Sequence, residues 1–572
     1  MKMPKKSIIA ILFSFFSLTI CASNDDKYKS FMQSLYGENK EITGEYDKSL
    51  SITCNNGVFV GKKTEDVLSF KGIPYAKQPV GELRWKAPIL AEDSSKIYEA
   101  YYFGKSPLQG YKKNHLGSYY PQGEDCLNLN IWLNTKDTST NKPVMVYIHG
   151  GRFNGDATSN PLYDGYNLIS KYSDIILVTI EYRLGLLGFI DLSTVPGGED
   201  YKDSPNLGLL DNICALKWIQ KNIKNFGGDP DKVTLFGNSS GGVSILLLTL
   251  MDESQGLFKR IINQSGPLTL TSSKEEFEVP TNELLSTFNA KNMEDLLKIT
   301  EEEFYDNIAD ISSNYPLKEE NKGFPSDLYE AFKSGKAKDI DMLIGTNQNE
   351  TMYYSTKYSE LYFRIGYQVM YENDLKKMSK EDQDTAQQFM DLLSGKRIKK
   401  VEHFYDEIVF RLPLIKVADY HSDNQGNTYF YHFKYDAELP LGAYHTLELP
   451  YIFNNFKNTF FEEAKENENV IKNIQDMWVN FARNGNPSTD ELEWEKFDSE
   501  NRKTMIIDEK CEMADDYNGE EGEMLDDLLK YNIKGDNSNL SYNTPIVYQV
   551  VGQVLIALIF VIGVIALLRK IF

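Results

Sequence analysis

Lys232-Val-Thr-Leu-Phe236 runs directly into Gly237-Asn-Ser-Ser-Gly241, and a stretch free of turn residues, Val243 to Leu250, follows. The first segment has the length and apolar content of a buried strand, and the last has those of a helix. The Gly-x-Ser-x-Gly between them fits a tight turn. Its glycines tolerate strained backbone, so the turn can lift Ser239 above a sheet and leave the serine's own N–H free. By chance such a pentapeptide arises roughly 0.2 times in a chain of this length. The flanking strand and helix therefore carry the reading, not the glycines alone.

The surroundings repeat the pattern. Pro143-Val-Met-Val-Tyr-Ile148 and Ile175-Ile-Leu-Val-Thr-Ile180 are continuous apolar runs of strand length, as expected of strands covered on both faces. Leu207 to Ile223 has helical spacing and contains Trp218 and Ile219. Strands alternating with helices predict an α/β fold, with a central, mostly parallel sheet flanked by helices.

Bulk properties narrow the function. The 572 residues are 41% hydrophobic and 25% charged, a globular composition, and the net charge of −22 repels phosphate backbones, which excludes nucleic acid as a partner. The five cysteines form no Cys-x-x-Cys or Cys/His cluster, so a structural zinc site is not expected. Cys54, Cys126, Cys214 and Cys511 lie beyond the N-terminal apolar run and permit up to two disulfides.

Both ends read as membrane-related. Residues 1–23 combine a basic start, an apolar run from Ile8 to Ile20 and small residues beyond it, the pattern of a signal peptide. Ile546 to Leu568 is long enough to span roughly 34 Å as a helix, and Arg569-Lys570 then favour a cytoplasmic tail of residues 569–572. A removed lipid-anchor signal is the competing reading of this end, and the terminal basic pair argues against it. Between them, residues 24–510 form the expected folded domain and 511–545 an acidic stalk. The expected location is the secretory pathway, with the domain lumenal or extracellular and compartment open. Asn263-Gln-Ser265 and Asn539-Leu-Ser541 are acceptable glycosylation sequons, whereas those at Asn238 and Asn349 are expected to be occluded.

His149-Gly-Gly-Arg-Phe153 follows the strand ending at Ile148, and with it the chain resembles the type-B carboxylesterase family, which includes cholinesterases. The resemblance covers most of the lumenal part. It extends through Phe70-Lys-Gly-Ile-Pro-Tyr-Ala76, Pro79-Val-Gly-Glu-Leu-Arg-Trp85, Glu124-Asp-Cys-Leu-Asn-Leu-Asn-Ile-Trp132, Glu181-Tyr-Arg-Leu-Gly185 and Asn225-Phe-Gly-Gly-Asp-Pro230, in the family's order. It implies an α/β-hydrolase fold and a serine hydrolase of small-molecule carboxylic esters that needs no cofactor or metal. It implies a triad as well: Ser239 in the elbow, Glu350 in Gly345-Thr-Asn-Gln-Asn-Glu350, and His445 in Gly442-Ala-Tyr-His-Thr-Leu-Glu-Leu449. The oxyanion donors would be the backbone N–H groups of Gly151, Arg152 and Ser240, and Arg84 with Glu124 would form a buried structural salt bridge.

Four departures stand out. Arg152 stands where the family usually has a third glycine; a positive φ there would cost on the order of 1 to 3 kcal/mol, and the side chain would either crowd the acyl pocket or favour anionic substrates. Asn238 replaces the acidic residue that usually precedes the nucleophile, which disfavours a cationic choline substrate, and Ser240 replaces an alanine. Cys126 matches a family disulfide position whose usual partner is missing, with Cys54 the available substitute. The family also contains catalytically silent adhesion ectodomains that bind protein partners. These typically lose a triad residue, and all three are present here.

Overall fold

The computed structural model describes residues 35–110, 120–317, 325, 327–352 and 360–535. The signal peptide expected at 1–23, the membrane helix expected at 546–568, the tail 569–572 and the Asn539 sequon lie outside them. Among the described residues, no helix is long and apolar enough to cross a membrane.

The chain divides into two compact units. The larger, Met1–Glu350 with Phe410–Gly519, is organised by one eleven-stranded sheet. In chain order its strands are β1 (Lys62–Thr64), β2 (Val67–Pro74), β3 (Asn128–Asn134), β4 (Lys142–Ile148), β5 (Ile176–Ile180), β6 (Gly228–Asn238), β7 (Arg260–Gln264), β8 (Asp341–Asn347), β9 (Thr428–Phe433), β10 (Thr504–Ile507) and β11 (Glu512–Ala514). Their order across the sheet is β11-β10-β9-β8-β7-β6-β4-β5-β3-β2-β1. Every pairing from β5 to β10 is parallel, and the outer pairings are antiparallel. The apolar runs of the sequence thus become the centre of the sheet, where strands covered on both faces need no alternation.

Three helices position the site by packing on β6: α1 (Leu207–Asn222), α2 (Ser240–Leu250) and α3 (Glu468–Asn484). Every residue of α2 is buried, as expected of a helix apolar all round. In α3, by contrast, Val470, Ile471, Ile474, Met477, Trp478 and Phe481 make one buried stripe. Asn467 caps its start, and Gly485, at φ 79°, ends it in the left-handed conformation.

Part of the segment expected to be a stalk is folded. Glu512–Ala514 pairs antiparallel with Thr504–Ile506 as an edge strand, and Gly519–Leu525 and Asp526–Tyr531 are helical, with Leu525 and Leu528 buried. An acidic, half-exposed strand suits an edge, where charge discourages further pairing; the same composition reads as linker when pairing is invisible. The smaller unit, Thr351–Val409 with 520–572, packs Tyr367, Tyr371, Phe389, Phe404 and Tyr405 ring against ring, with centroids 5.1–5.9 Å apart.

Two further expectations are corrected. Cys54, Cys126 and Cys511 are free thiols, not disulfide partners, and Cys214 is the buried free thiol that its apolar helix implies. Cys54, Cys126 and Cys214 are packed as small apolar side chains, and burial pushes the Cys54 and Cys214 thiols up to about 12. The Asn263 sequon is closed to modification, because this side chain is fully buried on β7 and its amide donates to the carbonyls of Gly242 (2.9 Å) and Gly266 (3.0 Å).

Arg84 and Glu124 form a buried ion pair through two guanidinium nitrogens, Nε donating to Oε2 at 2.6 Å and Nη2 to Oε1. Arg84 Nη1 also donates to the carbonyls of Ile299 (2.7 Å) and Leu296 (3.3 Å). Arg84→Met strands a buried carboxylate and should cost about 3–5 kcal/mol of unfolding free energy in urea titration. Adding Glu124→Gln should recover part of that loss.

Candidate active site

Strand β6 ends at Asn238 and α2 begins at Ser240, leaving Ser239 alone between them at φ 56°, ψ −125°. A non-glycine residue there stores on the order of 1–3 kcal/mol of strain. The glycines beside it serve a different purpose from the one expected. A Cβ on Gly241 would lie 2.0 Å from the carbonyl oxygen of Ile148, and one on Gly237 2.6 Å from the same atom. Their role is close approach to the end of β4, and the strain sits on the serine itself. Nor is the Ser239 N–H free, since it donates to the Gln264 carbonyl at 2.8 Å. The neighbouring N–H belongs to Ser240, the first residue of α2, where a helix offers N–H groups without intrahelical partners.

Across from the elbow, β4 leads into His149-Gly150-Gly151-Arg152-Phe153. Gly151, Arg152 and Phe153 adopt φ of 99°, 59° and 60° in succession, so arginine does occupy a left-handed position. Its side chain turns to Tyr315, donating from Nη2 to the phenol oxygen at 3.0 Å. Phe153 is fully buried against Phe189, ring centroids 4.9 Å apart, and anchors the far end of this loop. A Cβ on Gly150 would stand 3.3 Å from that of Ser239, which fixes the loop directly beside the elbow. Under the loop lies buried His149, whose Nε2 is 3.1 Å from Glu181 Oε2. Burial alone would depress the imidazole pKa; Glu181 reverses the direction and raises it.

Gly151 is irreplaceable, because a Cβ there would lie 2.1 Å from the Gly155 carbonyl oxygen. Gly151→Ala must therefore shift the loop. The expected result is a fall in kcat of about 10²–10³, the loss typical when one backbone N–H beside a reacting serine is displaced, with KM little changed. Steady-state kinetics on a nitrophenyl ester would check it.

Glu350 lies just beyond β8 and is fully buried. Its Oε1 accepts from the Ser265 hydroxyl (2.6 Å) and the Asn347 backbone N–H (2.7 Å), while Oε2 lies 2.5 Å from His445 Nδ1. His445 sits between β9 and the short helix Leu449–Phe453, with the Phe410 ring 5.2 Å from its own. Ser239 and His445 are 7% and 4% exposed, so substrate meets a site largely stripped of water. Ser265 went unrecognised in the sequence, where it is only the third residue of a sequon. Its position follows from the ladder that sets Gln264 opposite Asn238 on one side and Gly345 on the other.

A strained serine between strand and helix, a glycine-shaped loop beside it and a buried Glu–His pair are now joined by a match to the family model described as "Carboxylesterase family", over residues 48–525. The chain belongs to the carboxylesterase family. It is 34% identical over 505 residues to the para-nitrobenzyl esterase of Bacillus subtilis (strain 168), covering 83% of this chain and 98% of that one. The human cocaine esterase is 29% identical over 495 residues, 77% of this chain and 83% of its own. Among solved structures, a carboxylesterase of Geobacillus stearothermophilus superposes with a TM-score of 0.74 at 29% identity, covering 83% of this chain and 99% of that one. The fold of this carboxylesterase is the α/β-hydrolase fold, and its activity is serine-dependent hydrolysis of carboxylic esters.

Proposed function

We propose that the ester bond is cleaved through an acyl-enzyme in which Ser239 is the nucleophile, His445 the general base and then acid, and Glu350 the orienting carboxylate. What supports this assignment is the Glu350–His445 hydrogen bond, together with the link by which Gln264 accepts the N–H of strained Ser239 and the next residue, Ser265, donates to Glu350. With Nδ1 engaged by the carboxylate, Nε2 is the nitrogen left to take the Ser239 proton as the hydroxyl attacks the ester carbonyl. The developing oxyanion is received by the backbone N–H groups of Gly151, Arg152 and Ser240. The imidazolium then protonates the departing alkoxide, and a water deprotonated by the same nitrogen releases the acid.

Small organic esters are the substrate class this reading favours, supported by the para-nitrobenzyl and cocaine esterases named above. The Asn238 amide is turned to buried Glu448, so it does not select the alcohol. The silent adhesion reading is not favoured, since the relatives are esterases and Ser239, Glu350 and His445 are all present.

A fluorophosphonate probe tests the assignment. The wild-type protein should label stoichiometrically and Ser239→Ala not at all; a folded wild-type protein that refuses the probe would overturn it. We propose as well that the catalytic domain is lumenal and tethered at the secretory membrane, supported by residues 1–23 and 546–568. Release of the protein from membranes by alkaline carbonate would refute the tether.

A further inference from the structure

Behind the triad lies a second carboxylate with no part in the mechanism above. Glu448 is fully buried, and three side-chain amides donate to it: Asn238 and Gln264 to Oε1, each at 2.9 Å, and Asn347 to Oε2 at 2.6 Å. Each amide is the last residue of its strand, and β6, β7 and β8 are consecutive in the sheet. All three residues also touch the catalytic machinery through their backbone or sequence position. Asn238 immediately precedes Ser239. The Gln264 carbonyl accepts the Ser239 N–H at 2.8 Å. Asn347 donates its backbone N–H to Glu350 at 2.7 Å and its amide to the carbonyl of Tyr444, the neighbour of His445, at 2.8 Å.

We propose that Glu448 is a positioning residue: one buried carboxylate clamps the ends of three parallel strands and so sets the spacing of Ser239, Glu350 and His445 without touching the substrate. The proposal rests on the reading of Ser239 as the nucleophile. Asn238 is integral to the clamp. Charge-assisted bonds from amide donors are strong in a dry interior, and an amide is a donor at every pH. An acid in its place would set two carboxylates about 3 Å apart, which resist ionising together, so the pair would share one proton until alkaline pH removes it. The other titratable groups facing Glu448 are Glu350, His445, Tyr147 and Tyr431.

Two variants test the clamp. Glu448→Gln keeps one acceptor oxygen and turns an NH₂ group against one or two of the three donors. Both kcat and the fluorophosphonate labelling rate should fall about 10- to 100-fold, with KM changed less than about threefold, as expected when reacting groups are misplaced by a fraction of an ångström. Asn238→Asp keeps the clamp while one proton is shared, then loses it as that proton leaves. Its kcat should thus acquire a descending limb with rising pH that the wild type lacks, a signature a merely structural carboxylate would not produce. If Glu448→Gln does not fold, Asn238→Asp decides the matter at acid and alkaline pH on the same sample. Wild-type rates and an unchanged pH profile in Asn238→Asp, on a protein whose wild type labels, would overturn the clamp alone. Absence of label in the wild type would instead remove the Ser239 reading on which it rests.

Discussion

Ser239→Ala is expected to lower kcat on a short-chain nitrophenyl ester about 10⁶-fold, the scale of loss when a triad nucleophile is deleted, while the protein stays folded. Ser239 is 7% exposed and bears its backbone strain through φ and ψ, which alanine must adopt too, so neither packing nor strain changes much. The loss is therefore chemical and should appear as vanished burst amplitude with an unaltered thermal midpoint. His445→Ala added to Ser239→Ala should cost little more, because residues that act as one unit do not contribute additively. A double variant much slower than Ser239→Ala would mean that His445 works with another group.

Glu350→Gln should cost about 10⁴ in kcat, for a reason visible in the carboxylate's partners. Oε1 accepts a backbone N–H from Asn347 at 2.7 Å, and a backbone donor cannot reverse its role. The glutamine carbonyl must take that place, which turns its NH₂ toward His445 Nδ1, now 2.5 Å from Oε2. Nδ1 then becomes an acceptor and the proton moves to Nε2, the nitrogen that should receive the serine proton. Because the fault is one of tautomer, raising the pH should not restore the rate. A pH–rate profile measured well above neutrality would check this, and recovery of more than about tenfold there would contradict it.

Ser239, Glu350 and His445 are all legible locally in the sequence. The elbow announces itself because strand, tight turn and helix are contiguous, and the segments around Glu350 and His445 are short motifs carrying their own spacing. What those motifs conceal is the neighbour across the sheet. Ser265 and the amides of Gln264 and Asn347 lie beside the site only because β7 and β8 run parallel to β6 in register. Gly151 shows a similar division: its glycine was expected from resemblance, but the 2.1 Å approach of Gly155 that forbids any side chain is a property of the folded loop. The acidic segment around Glu512–Ala514 misled for the converse reason, as an edge strand is held by backbone pairing that composition does not record.

The sequence by itself determined the α/β class, the family resemblance and the three residues read as a triad, because buried parallel strands are apolar throughout and catalytic turns demand particular residues at fixed short spacing. Only the tertiary structure decided that the four described cysteines are free thiols, that the Asn263 sequon is sealed, that Arg152 bears a left-handed backbone, and that Glu448 gathers three strand ends beneath the triad. Each of these depends on contacts between segments distant in the chain, and such contacts exist only once the sheet has brought its strands side by side.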